Sequence, residues 1–302
     1  MRRSNLCWRT SKSTNQKKLI YLSTGGFNSL TGSEAASLLW ENEISNIELS
    51  GGRYDVNTLD NLLDLISVCN LQVHNYFPPP KDAFVFNLAS ANEVILDKSL
   101  NHSFQAVDLA AKLGCEVYSF HAGFLIDPNV SNLGRKISRQ NLQDRDSAIT
   151  RFIEMVNEIS KYAGKKEIKI LLENNVISKA NLNHFGTNPF LMTNHLEAVE
   201  IMNTTDKNVG LLVDVAHLKV SSTSESFCRN QYLESTAEFT CAYHLSENDG
   251  TTDSNEPVTS DSWFWPYIRN DLNYYSLEVY NEDLNTLKKQ IDLVEKQILK
   301  NE

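Results

Sequence analysis

"GLLVDVAHLKV", residues 210–220, begins as an unbroken apolar run and then carries Asp214 and His217. Such a run reads as a strand covered on both faces, the kind found in parallel sheets flanked by helices. The acid stands where this strand should give way to a loop. A buried carboxylate without a partner is costly or titrates away, so Asp214 needs a cation, a donor or water beside it.

Outward from this stretch, similar short runs recur along the 302 residues: "LIYLST" (19–24), "NIELS" (46–50), "LQVHNY" (71–76), "EVYSFHA" (116–122), "IKILLENN" (168–175), "GLLVDVAH" (210–217), "CAYHLSEND" (241–249) and "YSLEVY" (275–280). Between them lie "SEAASLLWENE", "VNTLDNLLDLISVCN", "ANEVILDKSLNHSFQAVDLAAKLG" and "RDSAITRFIEMVNEISKYAG", and after the last comes "NEDLNTLKKQIDLVEKQILK", all with apolar residues three and four apart. Those segments predict helices. "SESFCRNQYLES" and "DSWFWPYIRN" give fainter helical patterns, the second interrupted by Pro266. Eight strand-like runs with helical segments between them predict an α/β fold, a single (β/α)8 TIM barrel over residues 18–302. Residues 1–17, polar and basic, are expected to form a flexible N-terminal tail.

Composition narrows the function. The net charge of -10 opposes a phosphate backbone, so no nucleic acid is expected as a partner. Five scattered cysteines without a CxxC pair indicate neither a disulfide framework nor a thiolate zinc site, which fits a cytoplasmic protein. No apolar run is long enough for a membrane span, and the basic N-terminus lacks the apolar segment of a signal peptide.

In a (β/α)8 barrel the chemistry gathers at the C-terminal ends of the strands. Eight ionisable residues fall near the ends of these runs: Glu48, His74, His121, Glu173, Asp214, His217, His244 and Glu278. Each alone reads as a hydrogen-bonded core residue. Together they take four of the seven histidines, while His102, His184 and His195 read as surface residues. Imidazoles and carboxylates without thiolate suit a divalent ion such as Zn, Mn or Co, and Asp214 is expected to face it.

"LLENN", "LLVDVAH", "HLSENDG" and "LEVY", with "YSFHAGF" and "FNLAS", resemble the xylose isomerase-like barrels, which include sugar phosphate isomerase/epimerases and the endonuclease IV group. The resemblance covers roughly residues 19–300. It implies a metal held by Glu173, Asp214, His244 and Glu278. Glu173 and Glu278 would then flank a hydroxy-carbonyl substrate as the catalytic acid and base, passing through an enediolate. His217 is placed at the substrate or at a second metal. The endonuclease branch adds histidines after the third and fourth strands, matched by His74 and His121, and an Asp-x-His in the loop after the seventh. Here that loop has Asp253 but Asn255, so its last ligand is missing.

The expectation is therefore a metal-dependent isomerase or epimerase of a small carbohydrate, with His217, His74, His121 and Asn175 facing substrate. A phosphodiesterase of the endonuclease type and a non-catalytic sugar-binding barrel are the alternatives. No Lys or Arg lies between Arg229 and Arg269, so the loop after the seventh strand lacks its own anchor for a phosphate. Glu48 reads as a hydrogen-bond acceptor behind a ligand. "STGG" (23–26) reads as a simple turn. Trp263, Phe264 and Trp265 read as core packing, with a sugar-facing wall or a homo-oligomer contact as alternatives.

Overall fold

The computed structural model describes residues 19–132 and 137–300, and the predicted tail lies outside them. Eight parallel strands, β1 (Leu19–Ser23), β2 (Asn46–Ser50), β3 (Asn70–His74), β4 (Val117–His121), β5 (Lys169–Glu173), β6 (Val209–Asp214), β7 (Thr240–Leu245) and β8 (Tyr274–Leu277), close into a barrel in sequence order. β8 pairs with β1 from Leu19↔Tyr274 to Leu22↔Leu277. The (β/α)8 expectation is met.

Nine helices surround the barrel among the described residues: α1 (Gly32–Glu41), α2 (Thr58–Leu63), α3 (Glu93–Lys112), α4 (Arg145–Gly164), α5 (Lys179–Phe185), α6 (His195–Thr204), α7 (Val215–Glu225), α8 (Arg229–Thr236) and α9 (Leu284–Lys300). Side-chain caps start most of them. Thr31 and Glu34 form a reciprocal capping box on α1, and Asn92, Asp144, Ser178 and Asn194 accept first-turn N–H groups on α3, α4, α5 and α6.

The two-residue period of the strands sorts two cores. Outward residues such as Leu22, Phe120, Leu172, Val213 and Tyr243 pack under the helices. Inward, Tyr21, Val117, Leu171, Leu212, Ala242 and Tyr274 fill the floor of the barrel. That layer is tight: a Cβ on Gly210 would lie 2.7 Å from the Cys241 sulfur and 2.8 Å from Leu171. Two residues further along their strands come Glu173, Asp214 and His244, which share the inward face above the apolar floor.

Several local expectations change. "VAH" (215–217) is the first turn of α7, not strand or loop, because Asp214 ends β6 and caps the helix at once. The 56–70 segment is helical only over α2; beyond it Ile66 and Val68 are exposed, so no apolar face is buried to extend it. "DSWFWPYIRN" forms turns, since Pro266 has no N–H to give. Within it Phe264 and Trp265 are buried, as core packing requires. α5 and α6 were not anticipated. His102 is buried against Tyr76, Phe84 and Phe86, not on the surface.

Candidate active site

The strand ends bring together what the linear order separates. His74, His121, Glu173 and Asp214 are each the last residue of a strand, His244 is next to last in β7, and Glu278 follows β8 directly. Glu48 differs from expectation: it is the middle residue of β2 and lies deeper. Glu173, Asp214 and His244 have no exposed surface, and Glu278 is also buried.

His244 is the hub. Its Nδ1 lies 3.1 Å from Glu173 Oε1, 3.5 Å from Glu278 Oε2 and 3.9 Å from Asp214 Oδ2. Its Nε2 lies 3.0 Å from Glu48 Oε2. Glu173 also faces His74 Nε2 at 3.3 Å and His121 Nδ1 at 3.2 Å. Ser119 Oγ is hydrogen-bonded to His74 Nδ1 at 2.9 Å. Ser23 at the end of β1 donates to Glu278 Oε1 at 3.2 Å.

His217 is held from two sides. Asp214 Oδ1 accepts its backbone N–H at 2.7 Å, and the Asn174 carbonyl lies 2.9 Å from its Nδ1. A carbonyl only accepts, so Nδ1 carries a proton. Nε2 is thereby directed at Asp253 Oδ2, 3.2 Å away in the loop after β7.

Charge in this interior is distributed by proximity. Burial pushes Glu173 up, but the facing His121, His244 and His74 imidazoles outweigh it and hold the carboxyl well below the usual range. Glu278 is likewise brought down to about 2, burial being overcome by His244. Asp214 goes the other way, to about 7, because burial and the neighbouring Asp253 and Glu173 charges exceed the attraction of His217 and His244. Burial lowers His217 and His244, yet both end well above the ordinary imidazole value. Asp214 and Asp253 raise the first, and Glu48 and Glu278 the second. Positive charge among these carboxylates is thus favoured on His217 and His244, whereas burial lowers His121 to about 4.

A divalent ion fits the same place. One ligand atom from each of Glu173, Asp214, His244 and Glu278 lies within 4.8 Å of the others. Asp214 Oδ2 is buried without a hydrogen-bond partner, which an acceptor oxygen tolerates poorly unless a cation or donor meets it, and Glu173 Oε2 has only the ion-pair contacts of His74 and His121. Two overlapping groups, His74–His121–Glu173 and Glu48–His74–His244, satisfy the same spacing.

The model for the xylose isomerase-like TIM barrel matches residues 32–296. The chain belongs to that family. No curated protein matches it in sequence. Among solved structures it is similar to a D-tagatose 3-epimerase-like protein, with a TM-score of 0.70, 19% identity, and coverage of 93% of this chain and 97% of that one. It is also similar to D-psicose 3-epimerase from Clostridium cellulolyticum with D-tagatose, with a TM-score of 0.62, 12% identity, and coverage of 93% and 96%. A third is a protein from Thermus thermophilus soaked with ZnCl2, with a TM-score of 0.57, 18% identity, and coverage of 92% and 98%. Identities this low carry the fold alone.

Within this barrel family the chain has features that linear reading missed. Asn175, expected at the substrate, donates its amide to the carbonyls of Ala122, Gly123 and Leu191 and so ties the loops after β4 and β5 together. Asn255 has a φ of 51°, and its backbone carbonyl accepts the Tyr280 N–H. The loop after β7 carries no Lys or Arg before Arg269, which pairs with Asp271 at the far end of the loop, yet Lys219 reaches it from α7 and binds Glu247 Oε2 at 2.6 Å, and Arg229 stacks on Trp263 at 4.2 Å. Ser23, Ser119 and Tyr274 also escaped notice. Their signal was the same two-residue period: Ser119 precedes His121 by two and Tyr274 precedes Glu278 by four. Tyr280, two beyond Glu278, covers the turn after β1, where a Cβ on Gly25 would fall 2.3 Å from its hydroxyl.

Proposed function

We propose that this protein is a divalent-metal-dependent isomerase or epimerase of a sugar or sugar-like hydroxy-carbonyl compound. The observation that carries the reading is the convergence of Glu173 and Glu278, from β5 and β8, on one imidazole nitrogen of His244. In this reading Glu173, Asp214, His244 and Glu278 hold the ion. When bound, it polarises the substrate carbonyl and makes the neighbouring C–H more acidic.

The chain's own groups then divide the work. A carboxylate held as low as Glu278 is ionised at neutral pH but is a weak base, so it can take a proton only from a carbon already acidified. One glutamate removes that proton; it is then returned by the same glutamate to the adjacent carbon, or the other glutamate, having first taken a proton from water or a substrate hydroxyl, delivers that proton to the opposite face. His217, its Nδ1–H fixed on the Asn174 carbonyl, directs Nε2 to a substrate hydroxyl in place of Asp253. His121, partly exposed at the end of β4, binds a further hydroxyl, while His74, also expected at the substrate, is buried with its ring nitrogens at Glu173 and Ser119. The epimerase titles of similar structures support the substrate class.

The test is a panel of ketoses and aldoses with Mn2+ in D2O. Deuterium on the carbon beside the carbonyl of the product is expected. Isomerisation without label would replace proton transfer by a hydride shift, and no turnover across the panel would remove the reading. A second reading has one observation in its favour, the His74–His121–Glu173 group, which offers a place for another ion as a phosphodiesterase would need. Asn255 and the charge of -10 stand against it. Cleavage of DNA containing abasic sites would establish it.

A further inference from the structure

We infer that Glu48 is a positioning residue: its buried carboxylate accepts the Nε2–H of His244 and thereby leaves the Nδ1 lone pair directed at the divalent ion. The inference rests on the metal reading above and extends it to a residue outside the four ligands. The two nitrogens of one imidazole point apart. On one side Nδ1 faces Glu173, Glu278 and Asp214, and on the other Nε2 meets Glu48 at 3.0 Å. A neutral imidazole has a single N–H, and an ionised carboxylate can only accept it. With Glu48 in place the proton belongs on Nε2. Without it, the nearest acceptor is Glu173 Oε1 on the Nδ1 side, and the N–H would then point into the site a cation must occupy.

The placement of Glu48 supports this assignment. It has no exposed surface, sits within β2 below the ligand layer, and receives a second hydrogen bond on the same Oε2 from the Tyr274 hydroxyl. Gln72, beside it on β3, donates to the Tyr21 hydroxyl and accepts the Val117 N–H. An acid buried so deeply in an apolar floor needs a compensating partner, and His244 provides it at Oε2, while Oε1 has no hydrogen-bond partner. The competing role, a ligand in the Glu48–His74–His244 group, is disfavoured by the orientation of His74. Its Nε2 lies 3.3 Å from Glu173 and its Nδ1 is bonded to Ser119.

The experiment titrates Mn2+ into the chelator-treated full chain by calorimetry, for the parent, Glu48→Gln and Glu48→Asp. The glutamine keeps the shape but not the charge, and the aspartate keeps the charge but withdraws the oxygen. Both are expected to bind Mn2+ about 10- to 100-fold more weakly at unchanged stoichiometry. In the zinc-loaded parent, histidine 15N NMR should show a downfield, hydrogen-bonded Nε2–H for His244, displaced in Glu48→Gln. Equal affinity in parent and both variants would overturn the inference alone. Loss of a whole equivalent of Mn2+ with the remaining affinity intact would overturn it too, making Glu48 a ligand. A parent that binds no Mn2+ or Zn2+ would remove the metal reading and this inference together. Because Glu48→Asp is a second, independent variant, failure of Glu48→Gln to fold leaves the test decisive.

Discussion

Replacing Asp214 with asparagine should stabilise the metal-free protein and prevent metal from stabilising it further. The side chain is fully buried, and its folded value of about 7 compares with 3.8 for an unperturbed aspartate. The folded state therefore holds this proton to a higher pH than the unfolded chain does. The associated stability is present below the unfolded value and is lost as pH rises through the folded one. A separation of roughly 3 units at ~1.4 kcal/mol each sets a ceiling of about 4 kcal/mol. Asparagine never ionises. It is also a good N-cap, so the bond from the His217 N–H to residue 214 that starts α7 survives the change. The loss of a neighbouring anion for His217 and His244 takes back part of the gain. Urea unfolding with chelator present should show parent and variant nearly equal at about pH 4, diverging by up to ~1.4 kcal/mol per pH unit and levelling above about pH 7. With Mn2+ at a hundred times the parent's Kd, the parent should gain about 2.7 kcal/mol and the variant far less. A pH-independent difference, or a more stable metal-free parent at high pH, would refute the argument that Asp214 is strained by burial.

Three further outcomes are expected. Glu278→Gln keeps the Ser23 contact possible and the barrel folded but removes a proton-transfer group, so turnover on a confirmed substrate should fall by ~100-fold or more in protein that still shows a cooperative unfolding transition. His244 is held well above the usual imidazole value, so metal binding must displace its proton: affinity should rise with pH, and calorimetry in two buffers of different ionisation heat should reveal the released proton. Burial lowers His102 to about 4, so the unfolded chain binds more protons between that value and 6.5, and stability falls as pH drops through this window. His102→Phe should abolish that acid-limb loss of about 3 kcal/mol, as measured by urea unfolding between those pH values.

The barrel was legible because its signals are local and repeated. Seven of the eight apolar runs carry an ionisable residue near their end, and the closing pair β8–β1 follows from the number of runs. The ionisable residues near the strand ends were legible for the same reason, while the choice of Glu173, Asp214, His244 and Glu278 among them came from the family resemblance. Helix boundaries were less so. The first turn of α7 looked like strand because Val215 and Ala216 are as apolar as Leu211 and Leu212, and only the capping geometry of Asp214 distinguishes them. His102 looked like a surface residue because burial by Tyr76 and Phe86 comes from the loop after β3, far from its own helical pattern.

What the chain determines alone is period and order: which residues share an inward face, and that an acid, an Asp-x-x-His, a histidine and an acid follow one another on β5 to β8. Those properties depend on neighbours two to four residues away. Pair identities come only from closure, since they join residues distant in the chain. Glu48 meets His244 and Tyr274, Ser23 meets Glu278, and Lys219 brings a cation to the start of the loop after β7. The direction of each pKa is tertiary as well. Glu173 and Asp214 are both buried acids at strand ends, yet one is surrounded by imidazoles and goes down, while the other faces Asp253 and Glu173 and goes up. Burial acts on both in the same sense, and only the charges that folding brings within a few ångströms separate them.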